Sequence, residues 1–193
     1  MKNKWFAVVG SSRRHQNTEQ LVDFMIEALQ TIDRDVEKIL LSHDQVITCD
    51  ACEACLETGS CHMEDEIASV ITRMHDAEGI ILASPTYHHN MSAQMKAFLD
   101  RTYYMGVKRR EAKCHNEQKA IILGVCRGTE KESMGNTMSD IANVVSGLEM
   151  TVVDTIEYYN SKNFPVSDNQ MIKEIIQDRI INLLESEGEE RVH

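Results

Sequence analysis

The chain is short of proline, aromatic residues, basic charge and long apolar runs. Only two of its 193 residues are proline, Pro85 and Pro165, and 5% are aromatic. No proline-rich or other low-complexity segment is present, and no internal repeat. Twenty Lys and Arg stand against thirty-one Asp and Glu, a net charge of −11. Such a balance argues against nucleic acid or an anionic membrane as partner, since both demand clustered positive charge. A local basic pocket for one phosphate remains compatible with it. No window approaches the roughly 18 consecutive apolar residues of a membrane span. The apolar stretch near the start is shorter than the roughly 7–15 residues of a signal-peptide core, and no cleavage site follows it. The sequence also lacks Gly-x-x-x-x-Gly-Lys-Ser/Thr and Gly-x-Gly-x-x-Gly, so neither a nucleoside triphosphate loop nor a dinucleotide fingerprint is indicated.

Six cysteines are too few for a secreted disulfide scaffold of this length. Four of them crowd into thirteen residues as Cys49, Cys52, Cys55 and Cys61, the pattern Cys-x2-Cys-x2-Cys-x5-Cys. Neighbours this close pair only with strain, which points to reduced thiols and a cytoplasmic setting. Tight spacing brings four thiolates together with little loop-closure cost, as a [4Fe–4S] cluster requires. Zinc sites more often use two separated Cys-x2-Cys knuckles or Cys/His pairs. Bare thiols and zinc therefore stay open beside the cluster.

Short apolar runs alternate with amphipathic helical patterns, the sequence form of βαβ units. Strands are predicted at 5–9, 36–41, 79–84, 119–125 and 151–158. Helices are predicted at 18–31, 66–75, 92–104, 134–148 and 168–186, with Asp65 capping the second. Both prolines then fall outside regular elements. At 42% hydrophobic, the chain has enough apolar material for one sizeable core. The expectation is a single α/β domain over 1–193, an open five-stranded parallel sheet between helices, with a cysteine-rich insertion at about 49–65.

Ligands in such sheets bind beyond the carboxyl ends of the strands. After strand one comes Gly10-Ser11-Ser12-Arg13-Arg14-His15-Gln16-Asn17-Thr18. A tight turn at Gly10, hydroxyls, an arginine and a helix start together suit a monophosphate. After strand three comes Ser84-Pro85-Thr86-Tyr87-His88-His89-Asn90, where Tyr87 offers a face for a planar ring and Asn90 a polar group for its edge. His88 and His89 are candidate proton donors, or simply solvated loop residues. The acidic run Glu64-Asp65-Glu66 either lowers the potential of a nearby cluster or marks a helix start.

These motifs, with Gly79-Ile80-Ile81-Leu82-Ala83-Ser84-Pro85-Thr86-Tyr87 running on to Asp100-Arg101, resemble the iron–sulfur flavoproteins. That family belongs to the flavodoxin-like, FMN-reductase-related group. The likeness covers roughly residues 5 to 104. It implies FMN, its phosphate held by Ser11, Arg13, Asn17 and Thr18 and its ring set against Pro85, Thr86, Tyr87 and Asn90. A third wall would come from Gly124 to Gly128. It further implies a [4Fe–4S] cluster on Cys49, Cys52, Cys55 and Cys61, in a homodimer or homotetramer where cluster and flavin approach across subunits. Two departures stand out: Ser12 replaces a common proline, and the loop after strand four has few glycines.

Three functions follow as expectations. The first is an FMN and [4Fe–4S] oxidoreductase moving electrons from a ferredoxin-like donor to a small-molecule acceptor. The second is a cluster-free, NAD(P)H-dependent FMN or quinone reductase. The third is a non-enzymatic flavodoxin-like carrier whose cysteine loop is tied by zinc.

Overall fold

A computed structural model describes residues 3–41, 46–112 and 118–190. Cys114 lies outside them. Five parallel strands form the sheet: β1 (Lys4–Val9), β2 (Asp35–Leu40), β3 (Gly79–Tyr87), β5 (Lys119–Val125) and β6 (Thr151–Tyr158), in the order β2-β1-β3-β5-β6. A two-residue strand, β4 (Asn90–Met91), pairs antiparallel with the end of β3. The expected five-stranded parallel sheet is thus present, with β4 as an addition.

The three central strands, β1, β3 and β5, alternate between two buried faces, which is why they read as nearly continuous apolar runs. Phe6, Val8, Ile80, Leu82, Ala120 and Ile122 join one core. Helices α3 (Glu66–Met74), α4 (Ala93–Arg101), α5 (Tyr103–Ala112) and α6 (Thr137–Gly147) cover that face. Trp5, Ala7, Val9, Ile81, Ala83, Ile121 and Leu123 face the other core, under α1 (Asn17–Gln30) and α7 (Gln170–Glu190). The register thus sets which side chains meet which helices, since a one-residue slip would exchange the two faces. Among the described residues, no helix is long and apolar enough to cross a membrane.

Differences from the sequence reading have local causes. Strand β3 runs three residues further than expected and takes in Pro85. Ala83 turns its carbonyl toward β1, accepting from Gly10 N–H at 2.7 Å. Two residues on, Pro85 presents the same edge beyond the end of β1, so its missing N–H breaks no ladder bond there. The third helix continues past Thr102 as α5. The helix expected at 134–148 begins at Thr137, after a 3-10 turn at Lys131–Met134 and Gly135 at φ 54°. One short helix, α2 (Ala54–Thr58), lies inside the cysteine insertion and buries no residue, so it leaves no apolar period to read.

Candidate functional site

The carboxyl ends of β1, β3 and β5 open into a cleft of about 390 Å³. That size lies within the usual range for a cofactor site. One wall is the loop from Ser11 to Thr18. Ser11 is buried, and its Oγ accepts from Arg13 N–H at 3.2 Å, folding the loop back on itself. The helix that follows, α1, has no side-chain cap at Gln16. By contrast Asp65 caps α3 and Ser92 caps α4, accepting from Ala68 N–H and Met95 N–H. The uncapped N–H groups at the start of α1 suit an anion, although Glu19 in the first turn accepts from His15 N–H.

Charge agrees with that. Arg13, Arg127 and Lys162 line the cleft with no Asp or Glu among its described lining residues, although the chain as a whole is strongly acidic. Asn17 works as a strut. Its Nδ2 donates to Ser161 O at 3.0 Å and its Oδ1 accepts from Val166 N–H at 2.8 Å, clamping the loop after β6 onto the start of α1.

The second wall is the end of β3 with Pro85, Thr86 and Tyr87. Tyr87 is 44% exposed, a large ring left uncovered at the mouth. It is held there by a two-residue turn in which His88 and His89 both take left-handed φ, 48° and 61°. This is the turn geometry that best matches the twist of a hairpin, here without the usual glycine and at a cost of roughly 1 kcal/mol or more per residue. Neither histidine lines the cleft. Buried serines weld the walls: Ser92 Oγ donates to Gly10 O at 2.5 Å, and Ser92 N–H donates to Ser84 Oγ at 2.9 Å.

Ser11, Arg13, Asn17, Thr18, Pro85, Thr86 and Tyr87 all line this cleft. Asn90, Gly124 and Gly128 do not. Asn90 turns outward on β4, where its Nδ2 donates to Asp140 Oδ2 at 2.9 Å. Gly124 makes room on the opposite side of the sheet, for a Cβ there would meet Met138 Sδ at 2.5 Å. Gly128 lies at a loop junction, its carbonyl accepting from Asn160 N–H at 2.7 Å. Gly10 does not need positive φ; it is required because a Cβ would come within 2.8 Å of Met95 Cβ. Within the third wall expected at 124–128, Val125 and Arg127 line the cleft, whereas Ser161, Lys162 and Ser167, between β6 and α7, are cleft residues that sequence reasoning missed. Cys126 is buried beside this region, and burial pushes its thiol up.

A second cavity, about 290 Å³, is lined by Cys49, Cys52, Cys55 and Cys61 together with Arg101 and Tyr104. All four insertion cysteines are free thiols, two exposed and two half-buried. The loop reaches this arrangement through left-handed backbone at Ala51 (φ 57°) and Glu53 (φ 60°). Ala51 N–H donates to Cys49 Sγ at 3.4 Å. Burial pushes the Cys55 thiol up, and the charges of Cys61, Cys49 and Cys52 add to the effect. Four sulfurs that repel one another as thiolates fit a positively charged centre. In addition, Asp50, Cys52 and His62 place an oxygen, a sulfur and a nitrogen within 4.8 Å of one another.

Asp65, in the acidic run, does two things. It caps α3, and it pairs with the buried Arg101 side chain at 2.6 Å. Arg101 hydrogen bonding holds its carboxyl below the usual range, against the opposing effect of burial. The run is thus a helix start at Asp65, and that carboxylate is compensated by Arg101 instead of acting as a bare charge beside the cysteines.

Comparison with known proteins agrees with this geometry. The chain spans about half the length of the curated relatives it matches. It is 33% identical over 98 residues to an iron–sulfur flavoprotein of Archaeoglobus fulgidus, covering 51% of this chain and 44% of that protein. It is 33% identical over 95 residues to one from Methanosarcina thermophila, covering 49% and 50%. Among solved structures, an NADH:FMN oxidoreductase in its apo form superposes with TM-score 0.66 at 18% identity, over 95% of this chain and 89% of that one. An NAD(P)H:quinone oxidoreductase from Methanothermobacter marburgensis gives 0.65 at 15% identity, over 92% of each. These structural likenesses establish the fold. The model of the NADPH-dependent FMN reductase family matches residues 3–164, and the chain belongs to that family.

Proposed function

We propose that the protein is an FMN-dependent oxidoreductase of the iron–sulfur flavoprotein kind, relaying electrons between a one-electron donor such as a ferredoxin and a small-molecule acceptor. One observation carries this reading: a cationic cleft at the strand ends and a cavity ringed by four cysteines occur in one domain and share no lining residue. Helix α4 separates them. Its N-cap, Ser92, is bonded to Gly10 beside the cleft, and its last residue, Arg101, lines the cysteine cavity. Nine helical residues rise roughly 14 Å.

When bound, FMN supplies chemistry that handles electrons in pairs or singly, and a [4Fe–4S] cluster supplies one-electron chemistry. The chain's own residues do the holding. Ser11, Arg13 and Thr18, with the uncapped start of α1, bind the phosphate end, while Asn17 braces the facing loop. Arg127 and Lys162 add positive charge. Pro85, Thr86 and Tyr87 wall the ring, and Asn90, Gly124 and Gly128 serve as supports behind that wall. Cys49, Cys52, Cys55 and Cys61 hold the cluster. A cytoplasmic setting keeps these thiols reduced.

Leu56 and Tyr103, 41% and 60% exposed, rim the cysteine cavity. Their exposure supports a homodimer or homotetramer in which a second copy covers this cavity. A second reading, a cluster-free NAD(P)H-dependent FMN or quinone reductase, is favoured by the family match.

Anaerobic reduction separates the two. Reduced ferredoxin is expected to bleach the flavin band rapidly in the native protein and slowly in a Cys55→Ala variant. Bleaching by NADPH alone, at the same rate in both proteins, would favour the cluster-free reductase.

A further inference from the structure

Arg101 is the most deeply buried charge at either site. Its side chain is 1% exposed, and a guanidinium taken out of water must find both countercharge and acceptors. Asp65 accepts from both ends of the fork, Nη1 to Oδ2 at 2.6 Å and Nη2 to Oδ1 at 2.7 Å. The same Nη2 lies 3.6 Å from Cys61 Sγ, and Nη1 lies 3.5 Å from Ile47 O. Nε is buried with no acceptor among the described residues. Asp65 is itself fixed, accepting from Ala68 N–H at 2.9 Å as the cap of α3. Two helices therefore lock one guanidinium against one cysteine.

The surroundings give that contact weight. Asp50, Glu53 and Asp100 line the same cavity, with His62. Among the described lining residues, Arg101 is the cation whose charge does not depend on pH. A hydrogen bond to a ligand sulfur and a positive charge beside it both favour the state carrying the extra electron.

We propose that Arg101 is a positioning residue that fixes Cys61 and raises the reduction potential of the centre held by the four cysteines. This rests on the cluster reading above. Asp65 orients the guanidinium and, as a carboxylate, offsets part of its effect.

The test uses the anaerobically purified full chain and optical redox titration of cluster and FMN bands separately. Asp65→Asn removes the carboxylate and keeps a capping side chain. Arg101→Met with Asp65→Asn removes the ion pair without stranding either charge. Cluster midpoint potentials are expected in the order Asp65→Asn highest, native protein next, double variant lowest, with the FMN potential unshifted. Should circular dichroism show the double variant unfolded, Arg101→Lys with Asp65→Asn takes its place. It keeps the charge, loses the fork, and should fall below Asp65→Asn alone. A double variant at or above the native potential overturns the proposal, as does a replacement variant equal to Asp65→Asn. Native protein that binds FMN but shows no cluster band overturns the cluster reading itself, and the proposal with it.

Discussion

The cleft and the cysteine cavity are built by opposite means. The cleft rests on the ends of strands that are buried on both faces, and its walls are joined by hydrogen bonds at Ser84, Ser92, Gly10 and Asn17. Its shape is set before any ligand arrives. The cavity rests on an insertion with left-handed Ala51 and Glu53, a five-residue helix with no fully buried residue, half-buried Cys55 and Cys61 packed against the core, and the Arg101–Asp65 pair beside them. A rigid scaffold leaves a ligand to add affinity. An insertion with strained backbone and little buried area has less scaffold of its own, so a ligand held by its four sulfurs would do more to order it.

That contrast can be broken from either side. The largest effect is expected from replacing any one of Cys49, Cys52, Cys55 or Cys61 with alanine. Iron and sulfide should be lost while FMN stays near one per chain, as read by metal analysis and flavin absorbance. Next is Arg101→Ala, which strands the Asp65 carboxylate and should cost about 3 kcal/mol of stability in a urea titration. Smaller again is Arg13→Ala. Loss of one charge-assisted contact should weaken FMN by about tenfold, more at low salt, with iron content unchanged. The smallest concerns acid. Asp65 is held below its ordinary pKa by Arg101, so its contribution is present above the unfolded value, near 4, and is lost as pH falls through the lower folded value. Thermal melts at pH 7 and pH 3 should therefore converge in Asp65→Asn relative to the native protein.

Much of the cleft is legible in the chain because it sits where periodicity stops. The loop after β1 and the end of β3 follow unmistakable apolar runs, and Ser11, Arg13, Asn17, Thr18, Pro85, Thr86 and Tyr87 fall together there. The loop after β6 is different. Ser161 and Lys162 carry no local signal and become cleft residues through Asn17, 144 positions away in the case of Ser161. Gly124 looks like a ligand-facing glycine in sequence, yet it serves Met138 on the other face. The cysteine spacing is plain to read, whereas its tie to the helices is not, because Asp65 and Arg101 meet across 36 residues. The acidic run shows the same limit: charge is visible along a chain, and its compensation is visible only in space.

The most direct test is the composition of protein purified without oxygen. A flavin cleft beside a loaded four-cysteine cavity predicts about four iron, about four sulfide and about one FMN per chain. FMN with no iron or sulfide, or zinc in their place, would contradict the account and leave the cysteine cavity as a thiol or zinc element on a flavin-binding fold.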